Sequence, residues 1–328
     1  MEGCIAITNR CNARCQVCNI WRYPTKPGEE IQPKHLENLP QGIRFINLTG
    51  GEPFLRDDVE EFLNVLKKKV KRIIISTNGY FTDKIVKLVK KHPDVGIRIS
   101  IDGLPSIHDE LRGIKDGFDL GLRTLLDLHR LGLKDIGFGF TVSDKNVLDM
   151  IELYEMAKMM NLEFATAAVH NVYYFHKFDN KITKVEEMGK EFDKLITDML
   201  KSKRVKNWFR AYFNYGLKNY VNGGRRLLPC KAGSNFFYLD PMGVLRPCNG
   251  MKMSLGNLRE KKFEELWTSK EAEEMRKKVR ECGMNCWMIG SVTPMMAERV
   301  WVPTLWVIKQ KLRLILGKKL CLDTPNLK

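Results

Sequence analysis

Short apolar runs alternate with amphipathic stretches through the first two-thirds of the chain. Cys4–Thr8, Phe45–Thr49, Arg72–Ser76, Gly96–Ile101, Gly137–Val142 and Glu163–Val169 read as strands. Between them, Val59–Lys69, Thr82–Lys91, Phe118–Leu131 and Val147–Met160 repeat apolar residues at spacings of three and four, the signature of helices with one apolar face. Strand–helix alternation with near-continuous apolar strands predicts an α/β protein with a parallel sheet covered by helices. Six such units predict a partial (β/α)6 TIM-like barrel, whose chemistry would sit at the C-terminal ends of the strands.

The pattern changes after a helical stretch from Lys184 to Tyr220. Asn222-Gly223-Gly224 is a break. Phe236–Leu239 and Val244-Leu245 flank Asp240-Pro241-Met242-Gly243 and predict a hairpin, and a helix follows near Phe263–Arg280. The expected organisation is a barrel over 1–215, a small α+β cluster-binding domain over 216–290 and an apolar, basic tail over 291–328. In the tail, Trp301, Leu305, Ile308, Leu312, Ile315 and Leu316 form one helical stripe beside Lys309, Arg313, Lys318 and Lys319. Two readings stay open: an interfacial amphipathic helix at a membrane surface, or a helix packed across the barrel.

Net charge is +16, which suits an anionic partner such as nucleic acid, anionic lipid or an acidic peptide. Many cations have a simpler use. Lys67, Lys68, Lys69, Lys71 and Arg72 are expected to close one helix, and Lys201, Lys203, Arg204 and Lys206 another, where positive charge is favourable without a ligand. No RNA-reading motif accompanies the charge, so a nucleic-acid partner is not expected. Nothing at the N-terminus reads as a signal peptide, and no apolar run is long enough to span a bilayer, so a cytoplasmic location is expected.

The nine cysteines change the picture. Cys11, Cys15 and Cys18 share one short loop after the first strand, Cys230, Cys248, Cys282 and Cys286 form a second group, and Cys4 and Cys321 stand alone. Short clustered spacings without a secretory signal argue for metal over disulfides. Three thiolates on one loop can hold three irons of a cubane and leave the fourth open. A zinc or four-cysteine site remains the alternative on spacing alone.

The spacing Cys-x3-Cys-x2-Cys after a first strand resembles the radical S-adenosylmethionine (SAM) superfamily. Gly50-Gly51-Glu52-Pro53 follows the second strand and Ser76-Thr77-Asn78-Gly79 the third. Ser100-Ile101-Asp102-Gly103, His108-Asp109 and Arg112-Gly113 follow the fourth, all in the family's order. Val17 departs from the family, which often has an aromatic residue there. The resemblance implies a 4Fe–4S cluster whose open iron chelates SAM. Gly50, Gly51 and Glu52 would meet the methionyl amine, Ser76 and Asn78 the ribose, Ser100 and Asp102 the same cofactor, and Arg112 the carboxylate.

The second group, with Cys230-Lys231-Ala232-Gly233 and Gly243 five residues before Cys248, resembles the SPASM/Twitch extension of these enzymes. Four cysteines suit one auxiliary 4Fe–4S cluster, a Twitch-like arrangement, and a saturated cluster would serve in electron transfer. A structural zinc site is the competing assignment. The family implies reductive cleavage of SAM to a 5′-deoxyadenosyl radical, abstraction of hydrogen from an unactivated C–H bond, and an external flavodoxin- or ferredoxin-like electron donor. A non-enzymatic iron–sulfur carrier would explain the cysteines but neither Gly50-Gly51-Glu52 nor Ser76-Thr77-Asn78-Gly79.

His170-Asn171-Val172-Tyr173-Tyr174-Phe175-His176 follows the sixth strand, at the expected barrel mouth. His170 and Tyr173 are therefore candidates for orienting substrate or moving a proton. The basic apolar tail tilts the expected substrate toward a membrane-associated hydrophobic molecule. A peptide substrate is the alternative.

Overall fold

The computed structural model describes residues 1–324. The last four residues of the expected tail lie outside that range. Strand–helix alternation runs β1 (Glu2–Ala6), β2 (Phe45–Thr49), α1 (Val59–Lys67), β3 (Ile73–Thr77), α2 (Thr82–Lys91) and β4 (Gly96–Ser100). It continues through α3 (Pro105–Arg112), α4 (Gly117–Arg130), β5 (Ile136–Val142), α5 (Met150–Met159) and β6 (Glu163–Ala168). These six strands pair in parallel in chain order. Alternate residues divide the sheet into two faces. Ile5, Leu48, Ile75, Ile97, Ile99 and Phe138 pack with the apolar faces of the helices in one core. The opposite face carries Asn47, Ser76, Arg98, Ser100 and Thr141, a polar lining that an apolar core could not use.

Two long helices follow, α6 (Val185–Lys201) and α7 (Val205–Val221). The expected single helix breaks at Ser202, whose backbone is extended. Lys201 alone closes α6, while Lys206 lies in the first turn of α7, so these cations do not form one helix terminus. Glu163 explains the departure: Arg204, Lys206 and Arg210 all pair with its carboxylate, the first two at 2.7 Å. That concentration of positive charge lowers its pKa to about 2 against the penalty of burial.

Beyond the break come β7 (Phe236–Leu239), β8 (Val244–Arg246), β9 (Gly256–Asn257), α8 (Phe263–Trp267) and α9 (Lys270–Arg280). The tail forms α10 (Ile289–Glu298) and α11 (Trp301–Ile315). Strands β7 and β8 form the expected hairpin, and β9 adds to it antiparallel. Asp240 builds the turn: Oδ1 accepts from Met242 N at 3.0 Å and Val244 N at 2.9 Å, while Gly243 takes φ +84°, a conformation glycine adopts without strain. The hairpin is not a detached sheet. Strand β7 pairs in parallel with β1, giving one nine-stranded sheet in the order β6-β5-β4-β3-β2-β1-β7-β8-β9. The barrel is partial, with β6 at one edge. No helix of the described residues is long and apolar enough to cross a membrane.

Trp287 is fully buried over α7, and its Nε1 donates to Phe213 O at 2.8 Å. Gly216 leaves room for the indole: a Cβ there would lie 2.0 Å from a ring atom. Gly216→Ala is therefore expected to cost about 1–3 kcal/mol by overpacking and to lower the urea midpoint. Gly139→Ala is the control, because its Cβ would meet nothing nearer than 3.9 Å. Equal midpoints for the two variants would contradict this packing.

Candidate functional site

Cys11, Cys15 and Cys18 occupy the loop leaving the C-terminal end of β1. Backbone bonds fix that loop on α3: Arg14 N donates to Arg112 O at 2.9 Å and Gln16 N to Leu111 O at 2.8 Å. Its flank is held by Glu30, which is buried and accepts from Arg10 Nε at 3.0 Å, Thr25 Oγ1 at 2.7 Å, Arg56 Nη1 at 3.1 Å and the Thr8 hydroxyl. Desolvation opposes ionisation of Glu30, but these donors outweigh it and lower its pKa. No single motif residue signalled this anchor.

The three thiols are partly accessible yet enclosed enough that desolvation raises Cys11 and Cys18 to about 12, and each also feels the charge of Cys15. Three thiolates side by side need compensating positive charge, which an iron cluster supplies. Among the described residues, no three His, Cys, Asp or Glu side chains converge closely enough for a single metal ion. Three soft donors on one loop fit a larger iron–sulfur cluster.

Arg112 reaches this group. Its Nη1 lies 3.8 Å from Cys15 Sγ, and its Nε lies 2.7 Å from Asp102 Oδ2 with the N–H directed off that oxygen, a coulombic pair without a hydrogen bond. Burial works against its charge, but Asp102, Cys15 and Cys11 outweigh it and raise its pKa further. Asp102 Oδ1 accepts from Thr141 N at 2.6 Å, so the pair is tied to β5. The expected partner of Arg112 was a ligand carboxylate; its partners here are Asp102 and a cysteine sulfur.

Gly50 and Gly51 serve a close approach of the chain to itself. A Cβ on Gly50 would meet Thr8 O at 2.6 Å, and one on Gly51 would meet Arg10 O at 2.3 Å. Gly51 N and Glu52 N donate to Thr8 O and Arg10 O at 2.6 and 2.8 Å. Both glycines thus lock the β2 exit onto the β1 exit. Glu52 is completely buried and joins the β2 and β3 exits: Oε1 accepts from Phe54 N at 3.1 Å and Thr77 Oγ1 at 2.7 Å, and Oε2 from Asn78 N at 2.7 Å. Burial raises its pKa to about 7 despite these donors. Oε2 retains capacity for one more donor. Thr77 lay inside the recognised motif, but its anchoring role did not.

Ser76 Oγ donates to Asn47 Oδ1 at 2.8 Å on the polar face of the sheet. Asn78 Nδ2 donates to Asn12 Oδ1 at 2.7 Å, linking the β3 exit to the cysteine loop. Asn12 Nδ2 is buried without a partner, a donor left over on the cysteine loop. Ser100 ends β4 on the same polar face. The structure thus gathers the Cys11–Cys18 loop with Gly50, Gly51, Glu52, Ser76, Asn78, Ser100, Asp102 and Arg112 at one end of the sheet.

Cys230, Cys248 and Cys286 form the second group with Cys282. Burial raises Cys248 to about 12 and Cys286 to about 11, and the Cys286 thiol feels Cys230 and Cys282. Arg226 stands beside Cys286, with Nη1 3.9 Å from its Sγ and bonded to its carbonyl. As at Cys15, an arginine faces a cysteine sulfur. Four such donors fit a fully ligated cluster.

Residues 172–176 connect the two groups. On one side, Asn19 N donates to Phe175 O at 2.8 Å, and Asn19 Nδ2 to His176 O at 3.0 Å, one residue beyond Cys18. On the other, Tyr174 N donates to Asn249 O at 2.9 Å, one residue beyond Cys248. The Tyr174 hydroxyl donates to Gly50 O at 2.7 Å, and its ring stands edge-on to Tyr238 at 5.1 Å. The expectation that His170 handles a proton is corrected. Both its nitrogens are engaged, Nδ1 with Ala168 O at 2.7 Å and Nε2 with Trp287 N at 3.2 Å, and its ring stacks on Tyr220 at 4.2 Å. Burial lowers its pKa to about 4, so it stays neutral and fastens the Cys286-Trp287 backbone to the end of β6. Tyr173 is half-buried beneath Arg246, 5.0 Å from the ring centroid.

Comparison with known proteins places these features in context. Residues 5–157 match the model of the radical SAM superfamily, and residues 230–287 match an iron–sulfur cluster-binding domain, SPASM. Fe-coproporphyrin III synthase of Methanosarcina barkeri is 28% identical over 304 residues, covering 82% of this chain and 74% of that protein. The antilisterial bacteriocin subtilosin biosynthesis protein AlbA of Bacillus subtilis is 26% identical over 287 residues, 82% of this chain and 60% of that protein. A solved structure titled native anSMEcpe with bound AdoMet has the same fold, with TM-score 0.64, 15% identity, and coverage of 94% of this chain and 99% of that one.

The two cysteine groups predict separable loss of iron. Anaerobically reconstituted protein should hold about eight irons in two cubanes, and Cys15→Ala or Cys248→Ala should each remove about half. Iron analysis beside the ultraviolet–visible spectrum checks this. A zinc-only protein, or a Cys248→Ala variant with full iron, would contradict it.

Proposed function

This chain belongs to the radical SAM superfamily and carries a SPASM-type cluster domain, and from that premise we propose that it modifies a peptide by abstracting hydrogen from an unactivated C–H bond. The bound cofactors supply the chemistry: reduced 4Fe–4S cluster and SAM generate a 5′-deoxyadenosyl radical, fed by an external one-electron donor. The chain's residues hold and shield this chemistry. Cys11, Cys15 and Cys18 would hold the first cluster, Arg112 would face it with a fixed cation, and Glu52 and Asn12 would offer an acceptor and a donor to SAM. Cys230, Cys248, Cys282 and Cys286 would hold the auxiliary cluster, which would supply a one-electron acceptor. Tyr173, half-buried on the segment between the two loops, orients the peptide.

The observation that carries this reading is the bonding of residues 172–176 to the neighbour of Cys18 on one side and of Cys248 on the other, which ties both cysteine loops to one segment. The peptide class rests on the SPASM match, on AlbA, named for bacteriocin biosynthesis, and on an anSMEcpe structure titled with AdoMet and a peptide. The membrane-lipid substrate expected from the tail has no comparable support among these relatives.

Reconstituted enzyme, reductant and SAM are to be incubated with a peptide library, with lipid extract and with iron coproporphyrin. Formation of 5′-deoxyadenosine with a mass change in a peptide is expected. Absence of 5′-deoxyadenosine would end the radical reading, and modification of lipid or porphyrin alone would end the peptide reading. Tyr173→Phe should preserve SAM cleavage while reducing peptide product.

Glu52 generates a pH prediction. If the ionised carboxylate takes the SAM ammonium, SAM affinity rises with pH and levels off above the Glu52 pKa of about 7. Below that value the ionised fraction, and with it the affinity, falls about tenfold per pH unit. Equilibrium dialysis between pH 5.5 and 8 (roughly bracketing that carboxylate's titration) checks this. Glu52→Gln should bind weakly with a flat profile, and an equally flat wild-type profile would contradict the assignment.

A further inference from the structure

Helix α11 has two apolar sides, and the structure assigns them differently. The inner side docks on α6 and α7. Pro303, Val307 and Gln310 are buried there. Trp306 packs at 5.1 Å from Tyr215 and edge-on at 5.6 Å to Tyr212. Gln310 clamps the returning chain, donating to Cys321 O at 2.9 Å and accepting from Cys321 N at 3.0 Å. Lys311 crosses to α6, where Nζ donates to Leu200 O at 3.1 Å and lies 3.8 Å from the Trp208 ring centroid. The helix is thus fixed without its outer side.

That outer side is the stripe read from the sequence. Trp301, Leu305, Ile308, Leu312 and Ile315 recur at four and three residues and are all exposed, Trp301 by 56%, Leu305 by 64% and Ile315 by 76%. Leu316 extends the line. A contiguous apolar line of this size is costly to leave in water. It is flanked by Arg299, Lys309, Arg313, Lys318 and Lys319, and no acidic residue occurs from Arg299 to Leu322. Among the described residues, none of these five cations is in an ion pair.

We propose that the outer face of α11 lies on an anionic lipid bilayer, with Trp301, Leu305, Ile308, Leu312 and Ile315 in the headgroup–acyl boundary and the flanking cations against the lipid phosphates. Charge selects this occupant. A second copy docking through the same face would set five unpaired cations against five others. A neutral apolar groove would cover the stripe but leave the cations unanswered. At about 1.5 Å per residue the helix is too short to span, so it lies along the surface. Membrane contact is independent of the barrel chemistry, because no stripe side chain belongs to either cysteine group. A docked enzyme would meet its substrate at a membrane surface whatever that substrate's class.

Cosedimentation of the full, reconstituted chain with vesicles tests this, using phosphatidylcholine alone and phosphatidylcholine mixed with phosphatidylglycerol. Binding to the anionic vesicles should exceed binding to the neutral ones at least about tenfold at low salt, and fall as salt rises. Leu305→Glu with Leu312→Glu should remove binding while leaving circular dichroism and iron content unchanged, because both side chains are exposed. Lys318→Gln with Lys319→Gln, which keeps the apolar stripe, should weaken it about thirtyfold, at about 1 kcal/mol per charge. Intact protein that stays in the supernatant at low salt would overturn the proposal, as would unchanged binding by the Leu305/Leu312 pair. So would a dimer in sedimentation equilibrium that the same pair dissolves.

Discussion

Strand β1 has two parallel neighbours, and the architecture of the site depends on that double pairing. Cys4 sits opposite Asn47 of β2 on one edge and opposite Tyr238 of β7 on the other. The loop leaving β1 carries Cys11, Cys15 and Cys18. The chain entering β7 carries Cys230, and the hairpin it starts delivers Cys248. Parallel pairing aligns strand directions, so the β1 exit lies at the same end as the Asp240–Gly243 turn, while Cys230, before β7, and Cys248, after the antiparallel β8, lie at the other end of the hairpin. Cys4 packs in the apolar group around Tyr174 and Tyr238 and also in the one beside Cys230 and Cys248, in the wall between the two cysteine groups. Residues 172–176 then lie across both loops, and Tyr174 is bonded to Gly50 beneath them.

Electrostatics follow the same plan twice. Thiols crowded in a desolvated space resist ionisation, and each group has one arginine at a cysteine sulfur: Arg112 at Cys15 and Arg226 at Cys286. Each arginine is held from behind. Asp102 pairs with Arg112, while Arg226 Nη2 donates to Ser291 O at 2.9 Å and its guanidinium lies 5.6 Å from the Trp287 ring centroid. If these cysteines ligate clusters, a fixed cation beside each would let the protein set the cluster's potential without supplying another ligand. Much of the remaining positive charge is local scaffolding, as in the trio around Glu163, and α11 is the place where unpaired cations accumulate beside apolar surface.

The six barrel strands were legible because parallel strands buried under helices are continuous apolar runs; β1 alone was placed two residues late, since its polar start, Glu2, is buried by pairing with Arg44 and accepting from Thr293. Cysteine spacing pointed to both cysteine groups. What the sequence could not disclose were contacts between residues far apart in the chain. Nothing in the periodicity of Phe236–Leu239 says that it pairs with β1. Glu52 looked like a ligand contact because a charged residue beside two glycines at a strand end is a binding signal, yet its acceptors are mostly spent on Phe54, Thr77 and Asn78. His170 carried the same signal, and its partner at Trp287 lies more than a hundred residues away. Helix α3 was missed because its short apolar face, around His108 and Leu111, lies within the motif-rich stretch between β4 and α4. The stripe on α11 was legible, but only the docking of its opposite side through Trp306, Val307 and Gln310 decided which face remained open.

The central claim is that one cluster keeps an open iron for SAM while the other is closed by protein thiolates. Low-temperature electron paramagnetic resonance of the reduced protein, recorded with and without SAM, tests it most directly. The account predicts two cluster signals, of which SAM alters only the one that Cys15→Ala removes and leaves the other unchanged. A spectrum in which SAM perturbs neither signal, or perturbs the one that Cys248→Ala removes, would contradict it.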